Sequence, residues 1–168
     1  MITSLRPATI ADVPLLLQLI RELAEYEHLS DQVNATEERL RAALFPATAN
    51  AANAAPRPIA ECVLAFADEQ PAGFVLFFTN FSTFLTRHGL YVEDLFVRPA
   101  FRRHGLGTAL LRHVAGLACA RDCGRLEWAV LNWNEPALAF YASLGAQRLT
   151  EWTTCRVTGD ALRRLAAG

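Results

Sequence analysis

Two glycines preceded by basic side chains stand between an apolar stretch and a helical pattern. The six residues Arg102-Arg103-His104-Gly105-Leu106-Gly107 read Arg-x-x-Gly-x-Gly. Glycine lets a backbone approach a ligand closely, and the free N–H groups in the first turn of a helix bind anions with the help of the helix dipole. Arginine suits phosphate oxygens, and Arg98 adds a further arginine nearby. The segment therefore predicts a site for a pyrophosphate group.

The chain contains no lysine, because all 16 of its lysine-plus-arginine residues are arginine. This composition excludes chemistry that needs a lysine, namely Schiff-base catalysis, pyridoxal phosphate attachment and P-loop nucleotide binding. A dinucleotide-binding fold is disfavoured as well, since its Gly-x-Gly-x-x-Gly pattern needs Gly or Ala where Leu110 stands. A phosphate group would have to be held by backbone amides and arginines.

Two adjacent acids, Glu93 and Asp94, lie in the apolar stretch that precedes the glycines. A carboxylate in such surroundings can accept a proton, because partial burial raises its pKa towards neutrality. On a regular strand Glu93 would share a face with Tyr91 and Leu95, and Asp94 would point to the other face. We therefore expect Glu93 to be the base. A β-bulge at this point would reverse the choice, and an edge strand would leave either acid on the surface.

The overall charge is nearly balanced, with 17 acidic and 16 basic side chains and a formal net charge of −1. No basic stripe runs along the chain, which argues against a nucleic-acid partner. No apolar run approaches the roughly 20 residues that span a bilayer, and the first residues lack the apolar block of a signal peptide. We expect a cytoplasmic protein without a membrane partner.

The four cysteines form no C-x-x-C pair and stand among apolar neighbours. Such cysteines are typical of buried, reduced thiols. None lies beside a candidate base in the sequence, so an acyl-cysteine intermediate is disfavoured. We expect no metal site.

Periodicity divides the chain into strands and helices. Thr9 and Asp12 form a capping box before a helix that ends near Tyr26, and Thr36 precedes a second helix with acids in its first turn. A loop is expected over residues 46–58. Strands are predicted at residues 2–6, 62–67, 73–81, 90–97, 126–131 and 148–157, and further helices follow the glycines and cover residues 136–144. With 168 residues and 52% hydrophobic content, this pattern predicts one α/β (α+β) domain, residues 1–168, with a mixed sheet.

Two segments carry a resemblance to a known superfamily. Residues 90–108 contain the acidic strand and the glycine loop, and Asn134-Glu135-Pro136-Ala137 stands shortly before Phe140-Tyr141. These segments resemble motifs A and B of the GNAT superfamily of N-acetyltransferases. Tyr26-Glu27, residues 90–97 and residues 133–136 are most similar to the diamine, polyamine (spermidine/spermine) and thialysine N-acetyltransferases.

The resemblance implies a mixed, mostly antiparallel central sheet flanked by helices, and direct transfer of an acetyl group from acetyl-CoA to a primary amine in a ternary complex. It implies Glu93 as general base, Tyr141 as general acid, no metal and a homodimer. The residues that it places at acetyl-CoA are Leu95, Phe96, Val97, Arg102, Arg103, His104, Gly105, Leu106, Gly107, Thr108, Asn134, Glu135, Pro136 and Ala137. Those that it places at the amine are Tyr26, Glu27, Glu93, Asp94, Glu127, Trp128 and Ala129.

The identity of the acceptor amine remains open at this level. Asn132 stands where the related enzymes carry an acid, and residues 151–156 fit the polyamine enzymes poorly. The acceptor is expected to be a small cationic amine, such as a diamine, a polyamine or a thialysine-like compound, or else an amine of a protein or an antibiotic. The alternative to an enzyme is a non-catalytic module that binds acyl-CoA, in which Tyr141 would only pack and Glu27 would only end a solvated helix.

Overall fold

Five strands form one sheet within residues 1–129. Their order in the sheet is β1 (Thr3–Pro7), β2 (Glu61–Ala67), β3 (Gln70–Ser82), β4 (Arg87–Val97) and β5 (Leu126–Trp128). Neighbouring strands are antiparallel except for β4 and β5, which are parallel. The predicted mixed, mostly antiparallel sheet is therefore confirmed.

The structure is a computed structural model that describes residues 1–46 and 57–168. These residues divide into two compact units, Met1–Ala129 and Val130–Gly168. The loop predicted at residues 46–58 lies almost entirely outside the described residues. That the whole chain forms one domain stays a prediction.

The described part of the first unit contains three α-helices, α1 (Val13–Tyr26), α2 (Glu37–Leu44) and α3 (Leu106–Ala120), and short 3-10 helices at Ile10–Asp12, Ser30–Gln32 and Pro99–Phe101. The predicted helix starts are confirmed. Asp12 accepts a 2.7 Å hydrogen bond from the backbone N–H of Thr9 ahead of α1. Thr36 Oγ1 accepts one of 3.2 Å from the backbone N–H of Arg39 at the start of α2. Such contacts satisfy polar groups that a helix end cannot bond internally.

Helices α1 and α2 pack on one face of the sheet. Leu16 and Leu19 of α1 are buried in a cluster with Leu64, Phe74 and Phe96. These three strand residues oppose one another across β2, β3 and β4, and directly opposed residues point to the same face. Helix α3, which connects the parallel strands β4 and β5, packs against β2, β3 and β4.

Strand β5 is shorter than predicted, because it ends at Trp128 and not at residue 131. Its pairing with β4 covers only residues 90–92 of that strand. A strand lasts only as long as it has a hydrogen-bonded partner, so β5 stops where this pairing stops. Strand β4 continues beyond this point to Val97.

The second unit contains α4 (Glu135–Ser143) and α5 (Gly159–Ala167). Helix α4 matches the predicted helix, and Gly145 follows it with a φ of +86°, as expected of a C-terminal cap. The strand predicted at residues 148–157 is wrong, since that segment is exposed and pairs with no strand among the described residues. Its β-branched composition does not supply the neighbour that a strand needs.

Helix α5 was not among the predicted elements. It carries Asp160 in its first turn and Arg164 in its last, which suits the helix dipole and is a signal that the sequence offers. None of the described helices is long and apolar enough to cross a bilayer.

Candidate active site

A β-bulge interrupts β4 at the two predicted acids. Leu76 of β3 opposes Asp94, whereas the next residue of β3, Phe77, opposes Val92. Glu93 is thus the extra residue and has no counterpart on β3. An extra residue breaks the alternation of side chains along a strand. Strand β4 is therefore irregular at Glu93, whereas the prediction of Glu93 as the base assumed a regular strand.

The ladder shows which face of the sheet Asp94 occupies. Asp94 opposes Leu76, and Leu76 opposes Cys62 on β2, so the three side chains share a face. Cys62 and Leu76 pack in the cluster formed with α1 and α2, which places Asp94 on the face that α1 covers. Tyr91 opposes Phe78, two residues beyond Leu76, and therefore lies on this face as well.

The two acids differ in their surroundings. Asp94 is partly buried and Glu93 is exposed. Burial raises the pKa of Asp94 to about 7, and the nearby charges of Glu93 and Glu27 act in the same direction. Glu27 is the residue that ends α1, and burial raises its pKa too. The end of α1 therefore brings a third acid to the pair on β4.

Arg102 links the glycine loop to α1. Its guanidinium carbon lies 4.3 Å from the ring centroid of Tyr26 and 6.0 Å from that of Phe96. Its Nε donates a 2.9 Å hydrogen bond to the backbone carbonyl of Val97. A guanidinium over an aromatic face is attracted by the ring quadrupole. Arg102 thus holds Tyr26 against the loop, and its role at a phosphate group stays a prediction.

Aromatic rings line the face that Asp94 occupies. The rings of Phe78 and Tyr91 lie with their centroids 5.2 Å apart at an interplanar angle of 36°. The pKa of Tyr91 is raised, first by burial and then by the charges of Glu93 and Glu127. Phe78 is missing from the predicted site. The period-two pattern of β3 could have placed it on this face, but only the bulge brings Tyr91 and Asp94 to the same face.

Glu127 lies on this face in a small polar network. It opposes Tyr91 in the parallel ladder between β4 and β5. Arg125 Nε lies 2.8 Å from Glu127 Oε2, and Asn80 Nδ2 donates to the same oxygen at 3.0 Å. The charge of Glu127 is therefore partly balanced by Arg125.

The last two residues predicted at the amine are placed differently from Glu127. Trp128 opposes Val92, one position along both strands from Glu127, so it points to the opposite face of the sheet. Ala129 is exposed and lies beyond the end of β5. Within the first unit Asp94 and Glu127 thus share the sheet face that α1 covers, Tyr26 and Glu27 lie at the end of α1, and Trp128 points to the other face.

The start of α3 has the features of an anion site. Gly105 has a φ of +80°, which favours glycine, and no described atom lies within 4 Å of the place that a Cβ would take there. The first helical hydrogen bond runs from the N–H of Ala109 to the carbonyl of Gly105 at 2.9 Å. The N–H groups of Leu106, Gly107 and Thr108 precede it, and this described turn holds no acidic residue. An open, uncapped helix start fits a pyrophosphate group.

The arginines around this start are not equivalent. Arg98 forms a two-pronged ion pair with Glu22, in which both nitrogen–oxygen distances are 2.7 Å, and its Nη1 donates to the carbonyl of Pro71. Arg103 is exposed, as is His104, and Arg103 has a φ of +65°. Arg103 therefore reaches solvent beside the helix start, whereas Arg98 and Arg102 are held by neighbouring residues.

One edge of β4 is open along its second half. The strand pairs with β3 as far as Val97 but with β5 only over residues 90–92. Backbone groups of Leu95 and Phe96 that face away from β3 therefore have no strand partner in the described part of the first unit. A backbone N–H at such an edge can polarise a carbonyl oxygen. This edge is where Leu95, Phe96 and Val97 are predicted to meet acetyl-CoA.

The second unit carries the predicted acid. Asn134 Oδ1 accepts a 3.3 Å hydrogen bond from the backbone N–H of Ala137 and so caps α4, with Pro136 in the first turn. Tyr141 is half-buried on this helix, and its ring centroid lies 5.2 Å from that of Phe140. The predicted helix is confirmed. The roles of Tyr141 and of residues 134–137 stay predictions.

The prediction that the cysteines are buried holds for Cys62 and in part for Cys123, but it is wrong for Cys119 and Cys155, which are exposed. Cys62 is buried on β2, and burial raises its pKa to about 12. Its thiol is therefore protonated at neutral pH and is a poor nucleophile. The described chain brings no three His, Cys, Asp or Glu residues together in a way that could hold a metal ion.

Comparisons with known proteins agree with this architecture. Residues 18–146 match the model of the acetyltransferase (GNAT) family. A thialysine N-epsilon-acetyltransferase of Bos taurus is 40% identical over 172 residues, which cover 96% of each chain. An L-ornithine N5-acetyltransferase of Arabidopsis thaliana is 36% identical over 201 residues, covering 98% of this chain and 88% of the relative. The solved structure of an integron cassette protein from V. cholerae is similar, with a TM-score of 0.78 and 26% identity over 100% of this chain and 99% of that one. On this sequence match, which includes the acidic strand, the glycine loop and α4, the chain belongs to the GNAT family of acetyltransferases.

Proposed function

We propose that this GNAT N-acetyltransferase acetylates a primary amine of a small cationic compound, such as a diamine, a polyamine or a thialysine-like amino acid. The observation that carries the proposal is the group of acids and aromatic rings on the α1 face of the sheet. The charge of Glu27 acts on Asp94, Tyr91 shares the face of Asp94, and Tyr26 precedes Glu27 at the end of α1. Carboxylates attract an ammonium group, and aromatic faces bind it through the ring quadrupole. Two relatives are named as acetyltransferases of thialysine and of L-ornithine, and both compounds are small amines.

The ion pairs of the chain support this choice. Among the described residues, arginines pair with Asp12, Glu22 and Glu61. Glu27, Glu93 and Asp94 take part in none of the ion pairs of that part of the chain. The local excess of negative charge is therefore available for a cationic ligand.

Each step of the reaction has a residue proposed for it. The family resemblance implies that Glu93 accepts the proton of the substrate ammonium and that Tyr141 donates a proton to the departing sulfur. The bulge in β4 makes Asp94 the alternative base. Acetyl-CoA supplies the acetyl group as a thioester when it is bound. Residues 103–108 would hold its pyrophosphate, and residues 95–97 would orient the group next to the open edge of β4. The family resemblance implies a role in acetyl-CoA binding for residues 134–137 as well.

Direct transfer is proposed in preference to an acyl-cysteine route. A cysteine nucleophile has to be ionised or activated by a neighbouring base. Cys62, on the face of Asp94, is buried and protonated at neutral pH. The amine would therefore take the acetyl group without a covalent enzyme intermediate.

The test is acetyl-CoA turnover with a panel of acceptors, namely diamines, polyamines, thialysine, L-ornithine, an aminoglycoside and a lysine-containing peptide. We expect thiol release above background with the small cationic amines, and weaker release with an amino alcohol of similar size, which carries one positive charge where a diamine carries two. Turnover with only the aminoglycoside would indicate that the acceptor is an antibiotic. Turnover with only the peptide would indicate that it is a protein amine. Acetyl-CoA binding in calorimetry without turnover on any acceptor would identify a non-catalytic acyl-CoA-binding module.

A cytoplasmic homodimer is proposed as the working form, supported by the resemblance to the polyamine and thialysine acetyltransferases. Sedimentation equilibrium of the full chain tests the assembly. The proposal requires a mass of about twice the 18.5 kDa of one chain, and a clean monomer would remove it.

A further inference from the structure

We propose that Arg125 binds a carboxylate of the acceptor and that Glu127, beside it, binds an ammonium group next to that carboxylate. The preferred acceptor is then an α-amino acid whose side chain ends in the amine that is acetylated. This inference rests on the proposed function, because it selects one class among the small cationic amines. It is carried by the polar atoms that the Arg125–Glu127 pair leaves unused, by Gly89 and by the face of the sheet on which the pair lies.

The contact between Arg125 and Glu127 uses only part of each side chain. Arg125 Nε lies 2.8 Å from Glu127 Oε2, and the same oxygen accepts a 3.0 Å hydrogen bond from Asn80 Nδ2. None of the hydrogen bonds between described residues uses Nη1 or Nη2 of Arg125 or Oε1 of Glu127. The Arg125 side chain is 35% exposed and that of Glu127 is 29% exposed, so a ligand can reach these atoms. The N–H groups of a guanidinium match a carboxylate in geometry as well as in charge.

Gly89 provides the space in which this pair lies. Gly89 of β4 opposes Asn80 of β3, and a Cβ built at Gly89 would lie 2.6 Å from Asn80 Oδ1 and 2.9 Å from Arg125 Cγ. Real Cβ atoms do not approach other atoms so closely, so any other residue at this position would displace Asn80 or Arg125. A glycine inside a strand often marks such a close approach. Gly89 therefore lets the Arg125 side chain lie across β4.

The Arg125 side chain lies on the face of the sheet that carries the acids. Arg125 Cγ occupies the space towards which a side chain at Gly89 would point. Gly89 and Tyr91 are two residues apart on β4, so their side-chain directions are the same, and Tyr91 shares the face of Asp94. The guanidinium and the acids at the bulge therefore face the same space.

The distance along the sheet suits an amino acid with a long side chain. Asn80 and Leu76, which oppose Gly89 and Asp94, are four residues apart on β3, which corresponds to about 13 Å. The side chains of Arg125 and of the acids shorten this gap. Phe78 lies between the two positions and packs against the ring of Tyr91. An aliphatic chain can lie over these rings, with its terminal amine at the bulge and its α-carbon beside Arg125.

The pair also discriminates between acceptors by charge. The α-carbon of an amino acid carries one negative and one positive group, which match Arg125 and Glu127 respectively. A diamine would bring a second ammonium to Glu127 but would leave the guanidinium without a counter-charge and close to a like charge. Such an unmatched charge lowers the affinity for the wrong ligand and so creates specificity.

The experiment compares acceptors that differ only by the carboxylate, namely L-lysine with cadaverine and L-ornithine with putrescine. The variants are Arg125→Gln and, as a matched control, Arg112→Gln, which removes an exposed arginine of α3. We expect the wild type to prefer the amino acid in at least one pair. Arg125→Gln should lower kcat/KM for that amino acid by about 10–100-fold, mainly through KM, and should leave kcat/KM for the matching diamine unchanged or higher. Arg112→Gln should keep the wild-type preference.

Two results of this comparison would overturn the proposal. One is a wild type that prefers the diamine in both pairs. The other is an equal loss for both members of a pair in Arg125→Gln, because Arg125 would then only position Glu127. Fragmentation of the product by mass spectrometry adds an independent check, since the acetyl group should be on the side-chain nitrogen, and acetylation of the α-nitrogen would contradict the orientation.

Calorimetry separates this site from the proposed reaction. If the wild type acetylates no amine, the proposed function fails, but binding of the same four compounds can still be measured. Tighter binding of the amino acid than of its diamine, lost in Arg125→Gln and kept in Arg112→Gln, would support the carboxylate site alone. The absence of any such difference would overturn the site together with the function.

Discussion

At the scale of single residues, the surroundings of Asp94 disfavour its ionised form and so lower the free energy of unfolding at neutral pH. Burial and two neighbouring carboxylates raise its pKa to about 7, above the value of a carboxyl in the unfolded chain. Below about pH 4 the group is protonated in both states and has no effect on stability. As the pH rises towards 7 the unfolded chain releases this proton first, so the free energy of unfolding falls, and the loss is complete above the folded pKa.

The variant Asp94→Asn removes this loss of stability, because asparagine does not ionise. Its melting temperature should exceed that of the wild type at about pH 8 and approach it at about pH 4, as measured by thermal unfolding at both values. Glu93→Gln is the matched control, and its exposed side chain should shift the melting temperature less. A less stable Asp94→Asn protein at the higher pH would mean that the ionised carboxylate is held by a stabilising partner.

The side chain of Tyr141 combines a ring that packs beside Phe140 with the hydroxyl that is predicted to act as general acid. Tyr141→Phe keeps the ring that packs beside Phe140 and removes only the hydroxyl. If the hydroxyl protonates sulfur, kcat should fall by about 10²-fold or more while the Kd for acetyl-CoA stays near the wild-type value. Steady-state kinetics and calorimetry measure the two quantities. An equal loss in both would indicate that Tyr141 is structural.

At the scale of elements, the start of α3 depends on one backbone conformation. Gly105→Ala places a Cβ on a residue with a φ of +80°, which strains the chain and reshapes the uncapped turn. Acetyl-CoA affinity should drop markedly in calorimetry, and the melting temperature should fall. Gly116→Ala is the matched control, because Gly116 lies inside the same helix with open space for a Cβ. That change should leave affinity unchanged and raise stability by about 0.5–1 kcal/mol. Equal affinity in both variants would argue against an anion site at this turn.

Elements with local signals could be predicted from the sequence, and elements that depend on distant pairing could not. Thr9 and Asp12 mark the start of α1, and Gly145 marks the end of α4, because caps are formed by residues close in sequence. The bulge at Glu93 is set by the register between β3 and β4, which the pattern of β4 alone does not contain. Residues 148–157 have the composition of a strand but no partner within the described chain.

The site follows the same rule. The glycine loop is confirmed at the start of a helix, since its sequence specifies both the turn and the helix. The position of Arg102 over Tyr26 joins residues from a loop and from α1, so no local pattern could reveal it. The positions of Glu93 and Asp94 likewise depend on the pairing of β4 with β3.

At the scale of the whole molecule, charge is balanced globally and unbalanced locally. The net charge is −1, and arginines elsewhere in the described chain neutralise acids in pairs. The acids at the bulge and at the end of α1 therefore mark a local site and not a general acidity. Because the sequence contains no lysine, no lysine side chain of the enzyme can compete with an added amine for the acetyl group.

Product analysis shows whether acetyl groups pass to a small cationic amine. The full-length protein is incubated with acetyl-CoA and a diamine, and mass spectrometry counts the acetylated amine while a thiol reagent counts the released coenzyme A. We predict equal amounts of the two products, with the amine heavier by one acetyl group. Thiol release without acetylated amine, with acetate as the other product, would show that the protein hydrolyses acetyl-CoA and does not transfer its acetyl group to the amine.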